Sequence, residues 1–196
     1  MQIQSDAIIC AIRGHGEHGT IVRLLTPEHG LVAVYVRGGR GRRMRPVLIP
    51  GNLVSAQLRS RNESQLPQAT IELAHSRAAM LGEPLQSAAI EWATALVASA
   101  LPERQSYPRI YDAIAGLLDA IEAAPSAKGW STALAKFEQL VVAELGYGRE
   151  GPDSANVFDS LLWSGDHLFA DVLSGPIDSL RDSRARLIER LRRALV

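Results

Sequence analysis

The sequence predicts an α+β protein in which an all-β half precedes an all-α half. Two observations predict it. Apolar residues cluster in short, strand-like runs separated by Gly-containing or polar turns up to about residue 80, and after Gly82 they recur with a helical period. The expected domains are therefore residues 1–80 and 81–196, and a chain of 196 residues is long enough to bury a substantial core.

Asp6–Arg13, Thr20–Thr26 and Leu31–Arg37 are the first three candidate strands, short and rich in Val, Ile and Leu. Leu53–Arg59 turns Val54, Ala56 and Leu58 inward and Ser55, Gln57 and Arg59 outward, the two-residue period of a half-buried strand. Gln68–Leu73, beyond a polar Ser-Arg-Asn-Glu-Ser turn, is the fifth. Five short strands are too few for a sandwich and suit a small closed or partly open barrel.

Pro84 stands where a first helical turn tolerates proline, and Leu85, Ala88, Ala89, Trp92, Leu96 and Val97 then trace one face. Pro108 opens a second helix with Ile110, Ile114, Leu117, Leu118 and Ile121 on one side. Ser131 is the expected cap of a third, with Leu134, Phe137, Leu140, Val141 and Leu145 inward and Gly146 at its end. Residues 149–176 read as irregular, with one apolar island at Val157–Trp163. A last helix over about Ser179–Leu195 buries Leu180, Leu187, Ile188, Leu191 and Leu195 and turns Arg186, Arg190 and Arg193 outward.

Composition narrows the function. At 46% apolar and 21% charged residues the chain is of ordinary globular character. No apolar run reaches the roughly 18 residues of a membrane span, and the N-terminus lacks the basic-then-apolar pattern of a secretory signal. The single cysteine, Cys10, can form neither an internal disulfide nor a cysteine-rich zinc site. A cytoplasmic protein is expected. The net charge of zero conceals an asymmetry: residues 1–80 carry ten Arg against five acids, whereas residues 81–196 carry eleven basic against sixteen acidic residues. A basic binding surface on the first half follows. Only Lys128 and Lys136 are lysines; arginine forks suit phosphate, although a GC-rich genome also depletes lysine.

The catalytic motifs fail in turn. Gly14–Gly19 has the letters of a dinucleotide fingerprint, but Thr20–Leu25 reads as a strand where the motif requires a helix. Neither lysine completes a phosphate-binding P-loop. His15-Gly16-Glu17 lacks the paired cysteines of a zinc deaminase. His15, His18 and His29 read as solvent-facing turn residues rather than metal ligands. Cys10 reads as an inert core residue, and no nucleophile elbow is present. The chain is expected not to be an enzyme.

What remains is Arg37-Gly38-Gly39-Arg40-Gly41-Arg42-Arg43-Met44-Arg45, five Arg in nine residues between two strands. Glycine permits close backbone approach and a mobile loop, and Arg23, Arg59 and Arg61 extend the charge. Such a set binds phosphate backbones by counterion release. With Tyr35 alone among aromatics in this half, electrostatic tracking should outweigh base stacking. The alternative is a solvated loop whose charges only confer solubility.

As an ordered set these residues resemble the RecO family of recombination mediators. Gly16-Glu17 is similar to its Gly-Glu after the first strand, and Thr26-Pro27-Glu28-His29-Gly30-Leu31 to its Thr-x-Glu-x-Gly-Leu. Arg37-Gly38-Gly39-Arg40 resembles its basic-Gly-small-Arg element, Leu48-Ile49-Pro50 its Leu-x-Pro, and Leu145-Gly146-Tyr147 its Leu-Gly-Tyr. The resemblance is good over residues 6–80, looser to 148 and thin beyond.

It implies an N-terminal OB-fold, an α-helical C-terminal domain and no enzymatic turnover. It implies binding of single- and double-stranded DNA, annealing of complementary strands, and work with RecR, and often RecF, to load RecA onto DNA coated with single-strand binding protein. That coat protein's acidic tail would be met by the helical domain, for which Arg186, Arg190 and Arg193, or Lys128 and Lys136, are the candidate basic edges. The candidate DNA contacts are Arg23, Arg37, Arg40, Arg42, Arg43, Arg45, Arg59 and Arg61. Many relatives carry a four-cysteine zinc module after Leu-Gly-Tyr; Arg149–Pro176 has no Cys and only His167, so no zinc and no other cofactor is expected. The segment is then either poorly ordered or packed on the bundle through Val157, Phe158, Leu161, Leu162 and Trp163. The competing reading is a non-catalytic adaptor whose OB-like domain docks a protein partner.

Overall fold

The computed structural model describes residues 2–60, 65–148, 151–152, 154 and 156–195. Five strands come first: β1 (Gln2–His15), β2 (Gly19–Thr26), β3 (Gly30–Val36), β4 (Leu53–Arg59) and β5 (Gln68–His75). They close into a barrel in the order β1-β2-β3-β5-β4, antiparallel except for the β3–β5 seam, where Tyr35 meets Gln68. This is the OB-fold order, so the α+β layout expected from the sequence holds.

The first strand is longer than its apolar pattern indicated. Gln2–Ile8 pairs with β4 and Ile8–His15 pairs with β2, so one strand serves both sides of the barrel. A bulge between Ile9 and Ala11 lets it bend between these roles. Its beginning escapes an apolar count because Gln2, Gln4 and Asp6 are exposed and polar. The barrel interior is filled by Ala7, Ile9, Val22, Leu24, Val32, Val34, Val36, Val54, Ala56 and Leu58, all buried.

The helices are α1 (Pro84–Ala100), α2 (Pro108–Ala123), α3 (Ser131–Glu144), α4 (Val157–His167) and α5 (Asp178–Leu195). Pro84 and Pro108 both occupy first-turn positions, and all five apolar residues expected inward on α2 are buried. Ser131 is not a cap: it is the first residue of α3, buried, with Trp130 before it and no capping hydrogen bond. Within residues 149–176, read as irregular, α4 is followed by a single π-helical turn at Leu168–Val172. The Asn156 side chain caps α4 by accepting from the Phe158 N–H at 3.0 Å. Leu161 is buried, Val157, Phe158 and Trp163 pack partly buried against the bundle, and Leu162 remains exposed.

A second core runs through the helices and reaches the barrel exterior. Ile8, Cys10, Leu25 and Leu31 turn away from the barrel interior and join Trp92, Leu96, Ile114, Leu118 and Phe137. Polar contacts fasten the same junction: the Arg104 N–H donates to the Leu31 carbonyl at 2.8 Å, and Ser106 Oγ to the Pro27 carbonyl at 2.9 Å. No helix among the described residues is long and apolar enough to cross a membrane.

Candidate nucleic-acid interface

The chain leaves β3 at Val36 and returns at Leu53. In place of the open, mobile loop expected from its glycines, the first part of this connection is a run of hydrogen-bonded turns. Gly41 N–H donates to the Gly38 carbonyl at 2.9 Å, Met44 N–H to Gly41 at 3.0 Å and Leu48 N–H to Met44 at 2.8 Å. Two anchors press it onto the barrel. A Cβ on Gly39 would stand 2.6 Å from Thr20 Oγ1, so only glycine lets the backbone lie against the start of β2. Met44 and Val47 are half-buried against the barrel core. With the apolar members turned inward, Arg37, Arg40, Arg42, Arg43 and Arg45 are exposed.

The far end is pinned by Asn52, fully buried. Its Nδ2 donates to the carbonyls of Pro46 at 3.1 Å and Val47 at 3.0 Å. Its Oδ1 accepts the Arg77 N–H at 2.8 Å. Neither residue was among the sequence candidates, and a polar residue just before a strand carries little signal of such a role.

The exposed arginines distribute on two sides of the connection. Arg37 and Arg43 line a groove of about 730 Å³ with Arg59 from β4 and Gln68, Thr70 and Glu72 from β5. On the other side Arg40 reaches back to the β1–β2 turn, donating Nη1 to the Gly16 carbonyl at 3.2 Å. Among the described residues, none of Arg37, Arg40, Arg42, Arg43, Arg45 and Arg59 is ion-paired, in contrast to Arg23, Arg77, Arg109, Arg184 and Arg193. Unpaired guanidinium groups beside a groove keep their donors free for phosphate oxygens.

Arg23 stands apart from this set. Although it lies on β2, it donates to the Ala98 carbonyl at the end of α1 and pairs with Glu103 at 3.2 Å, so it fastens barrel to helices. Arg61 lies outside the described residues. On the helical half, Lys128 is exposed in the turn before α3, and Lys136 borders a groove between α3 and the residues leading into α4, with Leu140, Pro152 and Val157. Arg186 is exposed, Arg190 donates to the Pro84 carbonyl at 2.7 Å, and Arg193 pairs with Glu189 one turn away.

The remaining chemistry is structural. Burial pushes the Cys10 thiol up to about 12, which keeps it protonated and inert. His167 stacks on Trp163 with ring centroids 4.2 Å apart and bonds through Nδ1 to the Trp163 carbonyl, so it is engaged within α4. The described residues hold no group of three or more His, Cys, Asp or Glu arranged to take a metal. The donors of a four-cysteine zinc module are absent from residues 149–176, and the residues present do not fit one.

Comparison with known proteins agrees with the barrel and the helices alike. Residues 1–77 match the family model Recombination protein O N terminal, and residues 82–156 match Recombination protein O C terminal. The chain is 37% identical over 166 residues to the DNA repair protein RecO of Phenylobacterium zucineum, covering 83% of this chain and 67% of that protein. It is 40% identical over 149 residues to the RecO of Rhodospirillum centenum, covering 76% of this chain and 58% of that one. With the RecO of Paracoccus denitrificans it shares 37% identity over 148 residues, 76% of this chain and 60% of the relative. The chain thus spans about three fifths to two thirds of the length of these relatives, and by both halves it belongs to the recombination protein O family of DNA repair proteins.

Proposed function

We propose that this chain is a non-catalytic DNA-binding mediator of repair and recombination, which holds single- and double-stranded DNA by the phosphate backbone and anneals complementary strands. The observation that carries this reading is the unpaired arginine set, Arg37, Arg40, Arg42, Arg43, Arg45 and Arg59, around the turns between β3 and β4. Annealing requires two polyanions to approach, and a cluster of guanidinium groups without carboxylate partners screens their repulsion without reading base edges. Arg23, already engaged with Ala98 and Glu103, contributes to the frame rather than to the contact.

In the same reading the chain works with RecR and, as members of the family often do, with RecF, to help load RecA onto DNA coated with single-strand binding protein, in the cytoplasm and on the nucleoid. The coat protein's acidic tail would be met by a hydrophobic pocket with a basic edge, and the groove bordered by Lys136 offers Leu140, Pro152 and Val157 as apolar lining beside one ammonium. Arg190 and Arg193 have partners of their own, and Lys136 is the better candidate. Because residues 149–176 supply no cysteine, the reading includes no zinc, and chelation should leave the melting temperature unchanged.

The test is annealing of complementary labelled oligonucleotides, bare and coated with cognate single-strand binding protein, across a salt series. Acceleration that fades with salt and with the Arg40→Ala/Arg42→Ala/Arg43→Ala variant is expected. No acceleration at low salt would overturn the reading and leave the arginines to a protein partner.

A further inference from the structure

We propose that the free edge of β5 takes an extended segment of a partner protein as an added strand, one in which acidic and apolar residues alternate. The inference goes beyond the nucleic-acid reading and does not depend on it. Both occupants would use Arg37, Arg43 and Arg59, so they should exclude each other at this edge.

The seam between β3 and β5 is short. The two strands meet where Tyr35 pairs with Gln68, and the Tyr35 N–H donates to the Pro67 carbonyl at 2.8 Å. β3 then ends at Val36, while β5 runs on to His75. Backbone groups turn to alternate sides along a strand, so those of Ile71 and Leu73 face the way the Pro67 carbonyl does, away from β4. No residue of β3 pairs with them, and among the described residues neither bonds to the turns that follow β3. Those turns leave a groove of about 730 Å³ along this edge instead of covering it. An uncovered strand edge is a template for another chain.

The walls of the groove select the occupant. Leu73 pairs with Val54 and so shares the inward face, yet it is 41% exposed, and the half-buried Met44 and Val47 line the same groove. Arg59 stands on the outward face of the ladder, opposite Gln68, and Arg37 and Arg43 line the wall across from β5. Among the described residues these three arginines have no carboxylate partner, and Glu72 is the one acid in the lining. An added strand with alternating side chains would set apolar residues against Leu73, Met44 and Val47 and acidic residues toward the guanidinium groups. A DNA backbone accepts hydrogen bonds but donates none, and so cannot pair the Ile71 and Leu73 carbonyls; a peptide backbone supplies both donors and acceptors. A second copy pairing through its own β5 would bring two arginine sets together, which like charge opposes.

The experiment measures binding of a fluorescein-labelled, amidated hexapeptide of alternating Glu and Val to the full chain, by fluorescence anisotropy at low salt. Two further peptides are N-methylated, one on its Glu amides and the other on its Val amides, with charge and side chains unchanged. Only one of these sets can face β5, so one methylated peptide should bind about 10-fold or more weakly and the other like the parent. Leu73→Pro removes an edge N–H and leaves the β4 ladder its bonds, and should weaken the parent peptide by a similar factor. A peptide of alternating Lys and Val should not bind. Displacement of the parent peptide by excess oligothymidylate would support the shared edge; retention would support the peptide site and take this groove out of the DNA contact. Equal affinity for the parent and both methylated peptides would reduce the site to charge attraction and overturn strand addition, a comparison that needs no variant to fold. Equal loss in both methylated peptides, or equal binding of the Lys peptide, would also overturn it. Dimerisation of the chain that Leu73→Pro abolishes would assign the edge to a second copy and overturn it too. Oligothymidylate binding with no peptide binding would overturn this inference alone and leave the nucleic-acid reading standing.

Discussion

Asn52 and Arg77 join the base of the arginine-bearing connection to the helices. The Arg77 N–H donates to Asn52 Oδ1 at 2.8 Å, and Arg77 Nη1 to the Gly51 carbonyl at 2.7 Å. The same guanidinium group pairs with Asp119 and, at 3.4 Å, with Glu122 of α2, which also meets His75 at 2.8 Å. Arg77 is only 5% exposed and Asn52 fully buried. A buried arginine in this position spans β4, β5 and α2, so the turns carrying Arg37–Arg45 are referenced to the helical half rather than free of it.

Asn52→Ala therefore leaves the Arg77 N–H without its acceptor and the Pro46 carbonyl without its donor, while the Val47 carbonyl keeps the Ile49 N–H at 3.0 Å. Each unsatisfied buried group costs about 1–3 kcal/mol, and with partial relaxation the destabilisation should be about 2–4 kcal/mol. Asn52→Asp keeps the acceptor for Arg77 but aims an anionic oxygen at two carbonyls, and should also destabilise. Urea unfolding measures both; a change below about 0.5 kcal/mol in Asn52→Ala would show that the pin is not needed.

The arginines of the connection and Arg23 should separate cleanly. Arg40→Ala/Arg42→Ala/Arg43→Ala should reduce the slope of log affinity against log salt on single-stranded DNA by about 2, at roughly 0.7 for each phosphate that is no longer neutralised. Unfolding should barely change, because these side chains are exposed. Arg23→Ala should do the reverse: an unaltered salt slope and a lower unfolding midpoint, since its bonds to Ala98 and Glu103 tie the barrel to the helices. Equal slopes for wild type and the triple variant would remove these arginines from the DNA contact.

A third prediction concerns Glu138, fully buried on α3. Its Oε1 accepts from Trp92 Nε1 at 2.7 Å and Arg184 Nε at 3.0 Å, and its Oε2 from Arg184 Nη2 at 2.7 Å and from the Ser164 hydroxyl. Four helices, α1, α3, α4 and α5, meet on one carboxylate. Gly165 leaves the space in which the Arg184 guanidinium sits, next to the Leu161 carbonyl that it also bonds. Glu138→Ala strands a buried cation and should cost about 3–5 kcal/mol, whereas Glu138→Ala combined with Arg184→Met should cost less than the two single changes added together. Additivity in that double-mutant cycle would mean the pair is not coupled.

The barrel is readable because its strands alternate: Val54, Ala56 and Leu58 go inward as their spacing demands. α2 is readable because five apolar residues share one helical face. α4 is harder, since its apolar island is barely two turns long and sits among Gly, Pro, Asp and Ser; the available signal is Asn156 three residues ahead of Asp159, a start-of-helix pattern. The arginine run announces its loop, but its shape depends on Met44 turning inward and Gly39 meeting Thr20, which no count of charges contains. Arg23 is indistinguishable in sequence from a surface arginine because Ala98 and Glu103, its partners, are 75 and 80 positions away. Sequence separation likewise hides Asn52 and Arg77, which meet across 25 positions, and Glu138, whose partners Trp92 and Arg184 each lie 46 positions away.

Cys10 supplies a pH dependence with a defined sign. It lies on β1 at the junction of barrel and helices, and burial raises its thiol from 9.0 to about 12. Below pH 9 the thiol is protonated whether the chain is folded or not, and contributes no slope. Above pH 9 the unfolded chain releases the proton while the folded chain keeps it, so folding loses about 1.4 kcal/mol per pH unit from this group until the folded thiol itself ionises near 12. Cys10→Ala removes that slope. Tyr111, also raised chiefly by burial, is present in both chains and cancels in the comparison. The wild-type advantage over Cys10→Ala, measured by urea unfolding, should therefore be constant up to pH 9 and shrink beyond it. In the folded chain the thiol should resist a disulfide reagent at neutral pH and react only on unfolding. A constant difference across the alkaline range, or prompt labelling of the native protein, would place Cys10 in contact with solvent and contradict its buried position at the junction.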